Sequence, residues 1–121
     1  MSLDRIGAVG YAKAMEWIIL VCAGLLEIAM AISLKEAEGF TKPLWSAAFV
    51  VTGLASFGML SIALKALPVG TAYAVWTGIG AAGTALIGVA FRGEPATPLR
   101  LLAIGAIVAG VIGLRLAGGE G

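Results

Sequence analysis

Four apolar runs, each followed by a short polar connector, leave this chain very few ways to fold. They cover Trp17 to Leu34, Leu44 to Leu64, Val69 to Phe91 and, more briefly, Leu101 to Leu114. An α-helix rises 1.5 Å per residue, so the first three runs are long enough, or nearly so, to cross a hydrocarbon core of about 30 Å. Arg100 and Arg115 flank the shortest run and can extend their charged ends to the two membrane interfaces. Composition agrees: 60% of residues are hydrophobic and 12% are charged, against about 25% charged in a soluble domain. The expected fold is an all-α membrane protein with four transmembrane helices per protomer, at about 17–34, 44–64, 69–91 and 99–116. These form a four-helix transmembrane domain over 15–117, with an N-terminal extension at 1–14 and a C-terminal tail at 118–121. The first apolar run is too long for the h-region of a signal peptide and contains a glutamate, so it reads as a retained helix.

Several functions are excluded early. A net charge of +1 gives no reason to expect a nucleic-acid partner. The chain has no histidine and one cysteine, Cys22. That removes an intrachain disulfide, a His-ligated haem and any Cys/His zinc site, and no cofactor is expected. The stretch Gly78-Ile79-Gly80-Ala81-Ala82-Gly83 matches the dinucleotide G-x-G-x-x-G pattern. It lies inside an apolar run instead of between a strand and a helix, so its glycines are read as packing or bending positions.

Glu27 is the exception within the apolar runs, the one charged residue in the first of them. It falls near the middle of the span, where an ionisable group costs about 2.5–3.5 kcal/mol on insertion scales. Such residues usually mark an ion or substrate path. The plainer alternative is a permanently protonated acid that hydrogen-bonds a neighbouring helix. Around an ideal helix, Ala23, Gly24 and Ala31 lie within about 60° of Glu27, and Met30 borders that cleared face. In the third run Tyr73, Trp76, Gly80 and Gly83 share a wedge of about 80°. Tyr73 and Trp76 read either as a cation box or as a packing pair, and the buried carboxyl favours the box. A carboxyl removed from water takes up a proton or a cation, and holds both poorly together. If its cavity opens to each side in turn, proton entry drives cation exit.

Four spans place Arg5, Lys13, Lys65 and Arg115 on one side of the membrane and Lys35, Lys42, Arg92 and Arg100 on the other. Four against four gives the positive-inside rule nothing to choose. A protein with no preferred orientation can insert both ways, so an antiparallel, dual-topology dimer is expected. Gly105, Ala109 and Gly113 form a small-xxx-small stripe that can serve as a dimer packing face or can pack within one chain.

The pattern Ala23-Gly24-x-x-Glu27, then Lys35 and Gly39-Phe40, then Leu67-Pro68-Val69-Gly70-Thr71-Ala72-Tyr73-Ala74-Val75-Trp76-Thr77-Gly78-Ile79-Gly80 resembles the small multidrug resistance transporters. The likeness spans about residues 15–117, and the long block is most similar to the guanidinium-exporter branch. This resemblance implies proton-coupled antiport of guanidinium or small guanidinyl-like cations across a prokaryotic cytoplasmic membrane. By position it implies that Glu27 binds both proton and substrate and that Gly24 lines the pocket. It also implies that Ser56 hydrogen-bonds the Glu27 carboxylate and that Tyr73 and Trp76 complete the network. Met30 stands where the guanidinium branch usually has tryptophan, so half of a paired heterodimer stays open beside the homodimer. Two rival functions remain: a broad quaternary-ammonium or drug-cation exporter, and a rotary proton-channel ring subunit. A third, a membrane assembly factor without transport, predicts no need for the Glu27 charge.

Overall fold

The computed structural model describes residues 3–118, with side chains described for residues 14–117. It contains four helices in chain order: α1 (Leu3–Glu36), α2 (Pro43–Ala63), α3 (Val69–Phe91) and α4 (Pro98–Gly118). Prolines set the starts. Pro43 and Pro98 are the first residues of α2 and α4, where the missing N–H costs no helical bond, and Pro68 precedes α3 in extended conformation. The ends of α1 to α3 fall within two residues of their apolar runs, except at the start of α1, and α4 extends three residues before and four past the run from Leu101 to Leu114. Residues expected as an N-terminal extension are helical from Leu3, because Leu, Arg, Ala, Lys and Met favour helix and no proline interrupts them. The part of α1 apolar enough to cross a membrane is Ala14–Glu36. All four helices are long and apolar enough to span, with mean hydropathy from 1.6 to 2.3. Of the expected tail, Gly118 closes α4 and residues 119–121 lie outside the described part.

Packing is centred on α1, which lies against α2 on one side and α3 on another; α4 is carried by α3. An exposed ion pair between Glu36 and Arg92 joins the C-terminal ends of α1 and α3. These two helices therefore run parallel, as an up-down-up-down chain requires. Glu94–Arg100 at 2.9 Å and Glu38–Lys42 at 3.6 Å lie at the same end. Exposed pairs of this kind contribute about 1 kcal/mol at most, so they mark the watery end more than they hold it together. The α1–α2 turn passes through left-handed backbone at Glu38, Gly39 and Phe40. The Thr41 hydroxyl closes that turn by donating to the Glu38 carbonyl at 2.8 Å.

The core joins Trp17, Leu20 and Ala23 of α1 to Leu60 and Ala63 of α2 and to Ala72, Val75 and Trp76 of α3. Close approach depends on glycine. A Cβ placed on Gly24 would sit 2.7–2.8 Å from Cγ2 and Cβ of Ile79, and one on Gly83 would strike Ile28. Gly78 plays the same part toward Val111 of α4. Without bulk at these points the helix backbones meet and gain the dispersion contacts that drive association in lipid.

The fourth helix is nearly bare: 6% of its span is buried, against 22–28% for the others. Ile104, Ile107, Val111 and Leu114 form its packed stripe. Gly105, Ala109 and Gly113 lie on the opposite side, all exposed, and a Cβ on Gly105 or Gly113 would meet nothing within 4 Å. Of the two readings of that stripe, packing within one chain is not what the structure contains. Between α1 and α4 runs an apolar groove of about 600 Å³ floored by Val75 and Ile79. Arg115 crosses it to stack on Trp17, 4.7 Å from the ring centroid.

The glycine contacts give a direct test. Gly24→Ala forces a methyl against the stiff Cβ of Ile79 and is expected to destabilise the detergent-solubilised protein by about 1–3 kcal/mol. Gly58→Ala, inside α2 where a Cβ meets nothing, should not lower the melting temperature and can raise it slightly, since alanine favours helix over glycine.

Candidate functional site

Glu27 reaches toward α3, where Gly80 leaves room for it. A Cβ on Gly80 would overlap the Glu27 carboxyl group, with Cγ at 2.9 Å. The carboxyl thus rests on the bare backbone of α3, about 14 Å of helix rise from the Glu36 end of its span. Its Oε2 is buried and has no hydrogen-bond partner among the described residues. Beside it opens a cleft of about 480 Å³ between α1 and α3, lined by Glu27 and Ala31 on one wall and by Thr77, Gly80, Ala81, Thr84 and Ala85 on the other. That volume lies within the usual range for small-ligand sites. Apart from Glu27 the walls are small or hydroxyl-bearing, and Glu27 carries the one ionisable group in the lining.

The other residues singled out in the sequence distribute differently. Gly24 is buried at the α1–α3 crossing under Ile79, so it brings helices together and does not line the cleft. Met30 turns toward α2, where a Cβ on Gly53 would lie 3.2 Å from its Sδ. Ser56 is fully buried, and the bond to Glu27 implied by the family resemblance is not made. Its hydroxyl donates instead to the Ala23 carbonyl at 2.7 Å and accepts from the Trp76 indole N–H at 2.9 Å. The reason is geometric: Ala23 lies one helical turn before Glu27, and its carbonyl is nearer to Ser56 than the carboxylate, which is drawn toward Gly80. Trp76 is therefore a core residue, 4% exposed, with its one donor used and the Phe57 ring tilted against it, centroids 4.9 Å apart.

Tyr73 keeps an open face. Its ring is 55% exposed and lies 5.6 Å from that of Trp76. It sits seven residues before Gly80, almost on the same face of α3 and about 10 Å along the axis. The aromatic pair thus does not line the Glu27 cleft. Sequence reasoning missed Thr77 and Thr84. A threonine in a membrane helix ordinarily bonds its own i−4 carbonyl and carries no message, as Thr52 and Thr77 do here. The available signal was spacing: Thr77, Gly80 and Thr84 recur at helical intervals on one side of α3.

The Ser56 relay can be tested by its stability effect. Ser56→Ala leaves the Trp76 indole and the Ala23 carbonyl without their partner, and should cost about 1–3 kcal/mol in thermal or denaturant unfolding. Ser56→Thr, which keeps the hydroxyl, should recover part of that loss.

Comparison with known proteins adds to this geometry. The family model for the Small Multidrug Resistance protein matches residues 15–114, which reach into all four spans. A guanidinium exporter from Citrobacter freundii is 55% identical over 102 residues, covering 84% of this chain and 97% of that protein. One from Klebsiella oxytoca shows the same identity and coverage. A guanidinium exporter from Yersinia pseudotuberculosis serotype I (strain IP32953) is 54% identical over 103 residues, covering 85% of this chain and 99% of that protein. With a match over most of its length and four helices able to cross a bilayer, the chain belongs to the small multidrug resistance family, as a multi-pass transporter of the bacterial inner membrane.

Proposed function

We propose that this protein exchanges protons for guanidinium or small guanidinyl-like cations, and that Glu27 binds both in turn. One observation carries the reading: a lone carboxyl deep in the span, laid against Gly80 with one oxygen unpartnered, opens on a cleft of ligand size. An unpartnered buried oxygen is costly unless something binds it. A proton or a cation meets that need, and each displaces the other. Guanidinium suits the site chemically, since its planar N–H edge pairs with a carboxylate bidentately as arginine does. Similarity to the guanidinium exporters supports this substrate over a bulky tetraalkyl cation. Membership in a transporter family sets aside the rotary-ring and assembly-factor readings.

The working unit in this proposal is an antiparallel dimer, a homodimer in its simplest form. The exposed stripe of Gly105, Ala109 and Gly113 supplies a contact face on α4. The exposed ring of Tyr73 is available to the site from either protomer. Two Glu27 carboxyls then share one cavity and titrate as a coupled pair. The balanced positive charges on the two sides of the membrane fit insertion in both orientations.

In proteoliposomes, a guanidinium gradient should drive proton movement readable with a trapped pH dye, and Glu27→Gln should abolish it. Cation affinity should fall as the medium is acidified, because protons occupy the same oxygens, by at most about tenfold per pH unit for one-for-one exchange. Gly80→Ala pushes the carboxyl off α3 and should weaken guanidinium binding while leaving the protein folded. Proton movement unaffected by Glu27→Gln would remove the basis for the proposal.

A further inference from the structure

Two polar atoms in the cleft are buried and lack partners: Glu27 Oε2 and Thr84 Oγ1. The second is the less expected. Thr52 and Thr77 each donate to the carbonyl four residues back, at 2.7 and 2.9 Å. Thr84 makes no such bond to Gly80 or to any other described residue. Its hydroxyl is therefore neither absorbed by its own helix nor used in the core.

Its position is set by the parallel course of α1 and α3. Gly80 faces the Glu27 carboxyl. One turn further along α3 comes Thr84, and one turn further along α1 comes Ala31, both lining the same cleft. Side chains one turn apart on a helix stand about 5–6 Å from each other. Ala31 and Ala85 keep the space between the two walls clear of bulk. A small planar cation seated on Glu27 through one edge then turns its remaining N–H donors along the cleft, toward Thr84.

We infer that Thr84 is a specificity-determining residue of the Glu27 cleft, its hydroxyl oxygen accepting a hydrogen bond from a cation that carries N–H donors. The inference rests on the transport reading above and refines its substrate class. The carboxylate takes one edge of a guanidinium group, and the threonine oxygen, with two lone pairs, takes an N–H from another. A tetraalkylammonium ion has no donor to offer and leaves Thr84 buried and unpaired. A site built to hydrogen-bond its ligand discriminates against such analogues strongly.

The test uses the full-length protein in detergent or liposomes with guanidinium chloride as the probe, at a pH where binding to the wild type is tightest. Thr84→Val keeps shape and methyl group but removes the hydroxyl; Thr84→Ser keeps the hydroxyl and removes the methyl. The dissociation constant should rise about tenfold in Thr84→Val and stay near the wild-type value in Thr84→Ser. A packing role predicts the reverse order, with Val harmless and Ser the weaker binder, and that result overturns the inference. So does equal affinity in all three proteins. A wild type that binds no guanidinium overturns the transport reading along with it, whereas an unchanged Thr84→Val in a functioning transporter removes only the role of Thr84.

Discussion

The contact of the Glu27 carboxyl with the bare backbone at Gly80 is the constraint on which the rest of this site depends. A carboxyl in mid-membrane needs protein around it, because lipid offers no partner. It also needs a surface from which side chains have been removed, or it cannot leave its own helix axis and reach a cavity. Gly80 provides that surface on α3, while Gly24 and Gly83 let the two helices come close enough for the reach to be short. Any side chain at Gly80 would meet the carboxyl first. The arrangement leaves Oε2 buried and unpartnered, and the proposed exchange of proton and cation rests on that.

Around that contact the bundle separates polar groups that are bonded from those that are not. Ser56, Ala23 and Trp76 form a closed hydrogen-bonded unit across α1, α2 and α3, fully committed to holding the helices together. It lies one turn from Glu27 and fixes the backbone that carries it. On the other side lies the cleft, with small walls and two threonines. A rigid polar relay next to an open one is a workable design for a transporter. In the proposed function, strength is placed where the structure must stay constant, and the unsatisfied groups are those that the exchanged proton and cation would meet.

The peripheral fourth helix fits the same division. It contributes little to the core, touches the bundle through α3 and through Arg115 on Trp17, and turns its smallest residues outward. A helix so placed is poorly suited to stabilise the protomer. It is well suited to pack against another close helix backbone, since small residues are what membrane helices use for that purpose.

The spans, their number and the exceptional position of Glu27 within the first of them were legible in the chain itself. Uncharged runs of bilayer length have no other stable arrangement than helices once water is absent, and a lone acid among them stands out against its cost. Prolines 43, 68 and 98 fixed the starts for the same local reason, a missing N–H. The long α1 helix was hidden, because a mixed polar segment before an apolar run has no periodic signal to distinguish helix from extension. Only the tertiary structure decided the partners of each polar group. Ser56 and Trp76 looked like ligands of the site, yet the Trp76 indole donates to Ser56 and Ser56 donates to Ala23, while Thr84 looked ordinary and its buried hydroxyl is left without a partner. Chain spacing states which residues share a face. Which of two nearby acceptors a hydroxyl reaches depends on how closely two helices approach, and here that distance is set by what the opposing glycines leave out.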